Sequence, residues 1–224
     1  MTSELPPLDI EQARHNMVEQ QIRPWEVLDP SVLSLLAVIK REDFVPPAFR
    51  SLAFVDTEIP LPEGQSMLAP KIEAKLLQEL QLQRHESVLE VGAGSGFMAA
   101  LLAHRSRQVI SLEISETLTR MAQDNLRGAA VMNATVRCAD GSRGLSGEAP
   151  FDAIMLSGSV AVVPQQLLEQ LKVGGRLIAI VGEEPVMRAR LYTRTDQSAW
   201  RQTDLFDTVA PRLRGFPEAD RFVF

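Results

Sequence analysis

Three glycines at alternate positions, Gly92, Gly94 and Gly96, close the stretch VLEVGAGSGF, with Ala93 between the first two and Glu90 two positions ahead of them. Glycine at such a turn tolerates positive φ and lets a ligand lie directly against the main chain. The MAALLAHR run that follows has helical composition, so the turn would offer free N–H groups at a helix start to a carboxylate or phosphate. The spacing G-x-G-x-G differs from the dinucleotide fingerprint G-x-G-x-x-G, and no G-x-x-x-x-G-K-[ST] run is present to cradle phosphates. Such turns also occur for close packing alone, so this stretch by itself leaves both readings open. Further groups follow in order. Glu113, with Ile114 in SLEI, stands 19 residues beyond Gly94, where an acid can accept both hydroxyls of a ribose. Asp140, beside Gly141 in CADG, could accept from an adenine amino group, and Ser157-Gly158-Ser159 adds a run of small side chains. Each acid alone reads equally well as a solvated loop carboxylate. Their placement at successive strand ends points to one ligand.

Those strand ends come from an alternation of short elements after Leu80. Strands are predicted at Ser87 to Val91, Val109 to Leu112, Thr135 to Cys138, Phe151 to Leu156 and Arg176 to Val181. Helices are predicted near Ser95 to His104, Ser115 to Arg127 and Pro164 to Leu171. Alternating β and α elements build a mainly parallel sheet with helices on both faces, which binds ligands at the carboxyl ends of its strands. The runs ARLYTRT and WRQTDLFDTV around Asp196 to Ser198 then read as an antiparallel hairpin at the sheet edge. The fold class is α/β: a Rossmann-like, doubly wound, mainly parallel sheet with a C-terminal hairpin and an N-terminal helical extension. Residues 1–80 form that extension and 81–224 the ligand-binding domain.

Within the extension, residues 1–8 carry a Pro-Pro pair and read as a loose tail. A helix runs from Ile10 to Arg23-Pro24, and Asp29-Pro30 starts another with an N-cap acid and proline at the first helical position. A proline-punctuated stretch from Asp56 to Pro70 leads into a third helix, KIEAKLLQEL.

With 45% apolar and 23% charged residues and a net charge of −6, the composition is that of a soluble globular protein. An acidic chain without a basic, aromatic-interleaved stripe disfavours nucleic acid. No apolar run spans a bilayer and the N-terminus lacks the regions of a signal peptide, so a cytoplasmic location is expected. The single cysteine, Cys138, excludes an internal disulfide and reads as a small buried core residue. His15, His85 and His104 lack metal-ligand spacing and read as surface residues; no metal is expected.

VLEVGAGSGF, SLEI, ADG, APFDAIML and LLEQLKVGGRLIAIVG, in that order and spacing, resemble the protein-L-isoaspartate O-methyltransferase family of class I S-adenosylmethionine-dependent methyltransferases. MVEQQIRPWEVLDPSVLSLLAVIKREDFVP and the PLP-x-GQ run are similar to that family's substrate-side half. The resemblance covers about residues 13 to 185. It implies S-adenosyl-L-methionine as cofactor, held around Glu90, Gly92, Ala93, Gly94, Gly96, Glu113, Ile114, Asp140, Gly141 and Ser157. It also implies transfer of a methyl group to the isoaspartyl carboxylate of a protein or peptide, with Gln65, Ser66 and position 68 in the catalytic loop. The loop, Glu63 to Pro70, is expected to cover the methyl-donating side of the cofactor. Leu68 stands where the family has a serine, and Ser157-Gly158-Ser159 replaces its TAA. A leucine cannot donate to a carboxylate. Two other readings therefore stand beside isoaspartyl methylation: a different acceptor, such as a small molecule or another protein site, and a non-catalytic cofactor-binding protein. Oligomeric state is left open.

Overall fold

The computed structural model describes residues 9–218; the Pro-Pro tail lies outside the described residues. The N-terminal helix begins at Ile10 because the Asp9 carboxylate accepts the Gln12 N–H. It runs as α1 (Ile10–Asn16), then as a π-helical stretch, Met17–Ile22, and a 3₁₀ turn, Arg23–Trp25. The expected helix is thus continuous but changes winding. Asp29 caps α2 (Pro30–Val38) through the Ser31 N–H, with Pro30 at the first helical position as predicted. The proline-rich stretch folds into a small hairpin, β1 (Ile59–Pro60) and β2 (Ser66–Met67), ahead of α3 (Pro70–Leu80).

The sheet is built from β3 (Ser87–Val91), β4 (Gln108–Glu113), β5 (Ala134–Cys138), β6 (Phe151–Val160), β7 (Leu171–Glu183), β8 (Val186–Asp196) and β9 (Ala199–Asp207). Among the described residues it has seven strands in the order β5-β4-β3-β6-β7-β8-β9. The pairs from β5 to β7 are parallel and the last two antiparallel, so the expected edge hairpin is present. Helices α4 (Phe97–Arg105) and α5 (Glu116–Gly128) link the first parallel strands; α6 (Gln165–Glu169) links β6 to β7.

Strand alternation sorts the core into two layers. Val88, Ala153, Met155, Ile178 and Ile180 point to the face covered by α4, α5 and the N-terminal helices. Leu89, Ile154, Leu156, Leu177 and Ala179 point to the other, where Leu167 and Leu168 of α6 and Phe216 pack. Both faces are covered, which is why β3 is buried throughout.

Three expectations need correction. The fourth strand does not end at Leu156: a bulge between Met155 and Ser159 takes up the extra residues and β6 continues to Val160. The fifth strand begins at Leu171, leaving α6 shorter, because a second irregularity absorbs Lys172 to Gly175 before Arg176 pairs with Ala153. Cys138 is exposed, since β5 is an edge strand with Val136 as its buried residue. The three histidines are exposed, as predicted.

Candidate active site

The strand order reverses direction at β3, which has β4 on one side and β6 on the other, and a cleft opens at their carboxyl ends. It is lined by glycine main chain, the Glu113 carboxylate and apolar side chains, the mixture expected of a small-molecule site. Its floor is the glycine turn: Gly92 and Gly94 have φ of 91° and 52°, conformations a side chain rarely adopts.

At the end of β4, Glu113 faces this cleft with both oxygens already oriented. Oε2 accepts the Gly94 N–H at 2.9 Å and Oε1 the Ser115 N–H at 3.0 Å. Each carboxylate oxygen has two lone pairs, so each keeps one free. A carboxylate so fixed suits a pair of vicinal hydroxyls, the donor set of a ribose. Ile114 and Leu118 add apolar lining, and Ala139 and Gly141 line the cleft as well. Gly141 is needed there because a Cβ would lie 2.4 Å from Val91.

Not every expected cofactor residue reaches the cleft. Glu90 is 0% exposed and lies one layer beneath it, accepting from Ser111 Oγ at 2.6 Å and Ser157 Oγ at 2.7 Å. Burial pushes its carboxyl up to about 7; the two serine hydroxyls pull the other way, and Glu113 adds to the rise. Ser157, on the bulge of β6, does line the cleft. Gly96 does not: its φ is 85° and an added Cβ would meet the Ala122 backbone oxygen at 3.1 Å, so it serves the approach of α4 to α5. Asp140 is exposed at the rim, where it accepts its neighbour Ser142's N–H. Ala93 borders a smaller cavity behind the turn.

Two segments from outside the sheet close the cleft. Gln65 and Ser66 enter from the loop between α2 and α3. The Ser66 hydroxyl donates to Glu58 Oε2 at 3.1 Å. Leu68 is 5% exposed; it lies beside the smaller cavity, and its carbonyl accepts from Arg41 Nη2 at 2.8 Å. From the other side comes the chain after β9. The Ser159 N–H donates to the Pro211 carbonyl, the Leu213 N–H to the Ser159 carbonyl, and the Ser159 hydroxyl to the Ala210 carbonyl. This seats Leu213 against Gly92 and Gly158, where any Cβ would collide with it.

A polar latch joins the two segments. Glu63 Oε1 accepts from Ser115 Oγ at 2.8 Å, and Arg214 donates to the Glu63 carbonyl. With the Gln65 amide oxygen turned toward the guanidinium, it accepts from Arg214 Nε at 3.2 Å and Nη2 at 2.8 Å. The Ser115 hydroxyl, then Thr117 and Arg214, holds the Glu63 carboxyl below its usual range. The sequence reading missed Ser115 as a site residue and all of Pro211 to Arg214. Ser115 carried a signal, since it follows Glu113 closely at a helix start. The tail carried none.

A glycine turn after the first sheet strand, a diol-ready carboxylate after the second and a lidded cleft between them define a class I methyltransferase. Residues 12–209 match the family Protein-L-isoaspartate(D-aspartate) O-methyltransferase (PCMT). A relative from Herpetosiphon aurantiacus named protein-L-isoaspartate O-methyltransferase is 37% identical over 87% of each chain. One of the same name from Methanoculleus marisnigri is 40% identical over 75% of this chain and 77% of its own. The fold matches a Plasmodium falciparum structure titled as a beta-aspartate methyltransferase in complex with S-adenosyl-L-homocysteine. Its TM-score is 0.78, with 20% identity, over 90% of this chain and 98% of that one. The chain belongs to the protein-L-isoaspartate O-methyltransferase family.

Proposed function

We propose that this protein transfers the methyl group of S-adenosyl-L-methionine to the free carboxylate of L-isoaspartyl residues in proteins or peptides. The observation that carries the reading is family membership across 12–209 combined with a cleft whose donor set fits a nucleoside cofactor. When bound, the cofactor supplies an electrophilic methyl on a positively charged sulfur. The residues here do the rest. Glu113 and Ile114 hold the nucleoside, with Gly141 and the rim carboxylate of Asp140 beside it. Gly92 and Gly94 offer their main chain, and Glu90 keeps Ser157 in place. Gln65, Ser66 and Leu68 wall the acceptor side and exclude water. An isoaspartyl carboxylate is already ionised at neutral pH and the departing thioether is neutral, so positioning supplies the rate. Among the described residues no histidine or cysteine lines the cleft, in keeping with a reaction that needs no general base.

A second reading rests on Leu68 and Met67. Both are buried apolar residues beside the smaller cavity, and at position 68 the resemblance puts a serine that would have offered a hydrogen bond. They favour a less polar acceptor. Incubation with labelled cofactor and matched isoaspartyl and aspartyl peptides separates the readings. Label on the isoaspartyl peptide alone supports the first, and label on neither, with turnover of a small-molecule panel, supports the second. Binding of the cofactor with no turnover of any acceptor supports a non-catalytic role. We place the activity in the cytoplasm, where an exposed free thiol such as Cys138 stays reduced. Among the described residues, no helix is long and apolar enough to cross a membrane.

A further inference from the structure

Behind the glycine turn lies a cavity of about 30 Å³ that shares the lining residues Ser66, Gly92, Gly94 and Ser157 with the cofactor cleft. It has room for a group the size of a water or an ammonium, and little more. One charged side chain lines it: Glu73, from α3, only 4% exposed. Arg41 Nη1 donates to Glu73 Oε2 at 3.0 Å; among the described residues the other oxygen, Oε1, has no hydrogen-bond partner. Arg41 is otherwise engaged, donating to the Leu68 carbonyl and lying 5.1 Å from the centre of the Phe97 ring.

The charges around this cavity do not balance. Glu73 and Glu90 are both buried and repel each other, and among the described residues Arg41 is the one cation paired with Glu73. With all three ionised, one negative charge is in excess beside the cavity. Buried charges are tolerated when a partner meets them.

We propose that Glu73 is a cofactor-recognition residue whose free carboxylate oxygen receives the α-ammonium group at the amino-acid end of S-adenosylmethionine and S-adenosylhomocysteine. This rests on the cofactor reading above and adds a residue to it. The sign of the charge selects the ammonium over the carboxylate of that amino acid, and the cavity's size excludes a longer cationic side chain.

The test compares S-adenosylhomocysteine with 5′-methylthioadenosine, which keeps the nucleoside and the thioether but has no amino acid. Affinities are measured by calorimetry for wild type, Glu73→Gln and the double variant Arg41→Met/Glu73→Leu. The double variant removes both charges together, a replacement that buried ion pairs tolerate, and so covers the case in which the single variant misfolds around an unpaired Arg41. Wild type should prefer S-adenosylhomocysteine. Both variants should bind it about 10- to 100-fold more weakly, while 5′-methylthioadenosine stays within about 2-fold, because only the amino-acid end loses a charge-assisted hydrogen bond. Equal losses for both compounds would make Glu73 a support of the fold and overturn the proposal, as would unchanged affinity for S-adenosylhomocysteine. A wild-type protein that binds neither compound overturns the cofactor reading, and the proposal with it. One that binds both equally overturns the proposal alone.

Discussion

At the scale of single residues, Glu113 and Leu68 make opposite demands on the site. Glu113 is held by two backbone N–H groups and has lone pairs to spare, so its removal strands the hydroxyls it would accept. Glu113→Ala should weaken S-adenosylhomocysteine binding by about 1–3 kcal/mol; calorimetry showing unchanged affinity would remove Glu113 from the site. Asp140→Ala should cost less, since that side chain is exposed and caps its own turn. Leu68 is buried beside the smaller cavity, at the position where the resemblance puts a serine whose hydroxyl would add a bond to an ionised carboxylate. Leu68→Ser should raise kcat/KM on isoaspartyl peptides by roughly 10- to 150-fold if that bond acts in the transition state. It should also lower the melting temperature, because a buried leucine is lost. Steady-state kinetics at saturating cofactor, with Ser66→Ala as control, decides it: a Leu68→Ser rate equal to wild type sinks the idea. The acids and the glycine turn were legible in the sequence because their spacing follows the strand ends. Glu90 and Gly96 were assigned to the cleft for the same reason, and depth separates them from it. Spacing reports which strand end a residue occupies, not which layer its side chain enters.

Secondary-structure elements were most legible where a side chain caps them. Asp9, Asp29 and Ser115 each accept a backbone N–H at a helix start, and Asp29, the one read from the sequence as a cap, opens its helix at Pro30 as expected. They were least legible where a distant partner sets the boundary. β6 outruns its expected end because a bulge lets Ser159 and Val160 go on pairing with β7, while Ser159 also bonds the chain at Pro211 and Leu213, over 50 residues away. Local pattern carries no trace of that. The same segment brings Arg214 over the cleft to meet Glu63 and Gln65. Arg214→Ala should therefore speed S-adenosylhomocysteine dissociation about 2- to 5-fold, the scale of an exposed charged contact, with a smaller change in association. Stopped-flow traces with equal off-rates would show that the latch does not retain the ligand. The junction of α4 and α5 makes a contrasting demand. Gly96→Ala forces a Cβ against the Ala122 backbone at positive φ, and should cost about 1–3 kcal/mol in a urea titration. Its effect on S-adenosylhomocysteine affinity should be minor. A large loss of affinity with stability intact would return Gly96 to the cofactor site.

Across the whole molecule, two layers of side chains enclose the sheet, and the two carboxyl groups beneath the active site sit inside that enclosure. Burial raises Glu73 to about 7 against the pull of Arg41, and raises Glu90 to about 7 against its two serine hydroxyls. A carboxyl raised from an ordinary 4.5 binds more protons in the folded chain than in the unfolded one between those two values. The stability it contributes is complete below about pH 4.5, declines as pH rises through about 7, and is gone above. For one such group the span is about 3 kcal/mol. Surface acids act in the opposite sense. Asp29, held down by the Ser31 hydroxyl, and Asp204, held down by Arg188, contribute stability above their unfolded values and lose it as pH falls below about 4. The two windows meet at mildly acidic pH, so the ligand-free protein should be most stable near pH 5 and less stable at pH 8. Glu90→Gln keeps a neutral polar group between Ser111 and Ser157 and removes the ionisation. Differential scanning calorimetry should find a lower melting temperature at pH 8 than at pH 5 in wild type, and a narrower gap in Glu90→Gln. A wild-type melting temperature that rises from pH 5 to pH 8 would mean that these carboxyls ionise in place without cost, and that the enclosure is wetter than its packing indicates.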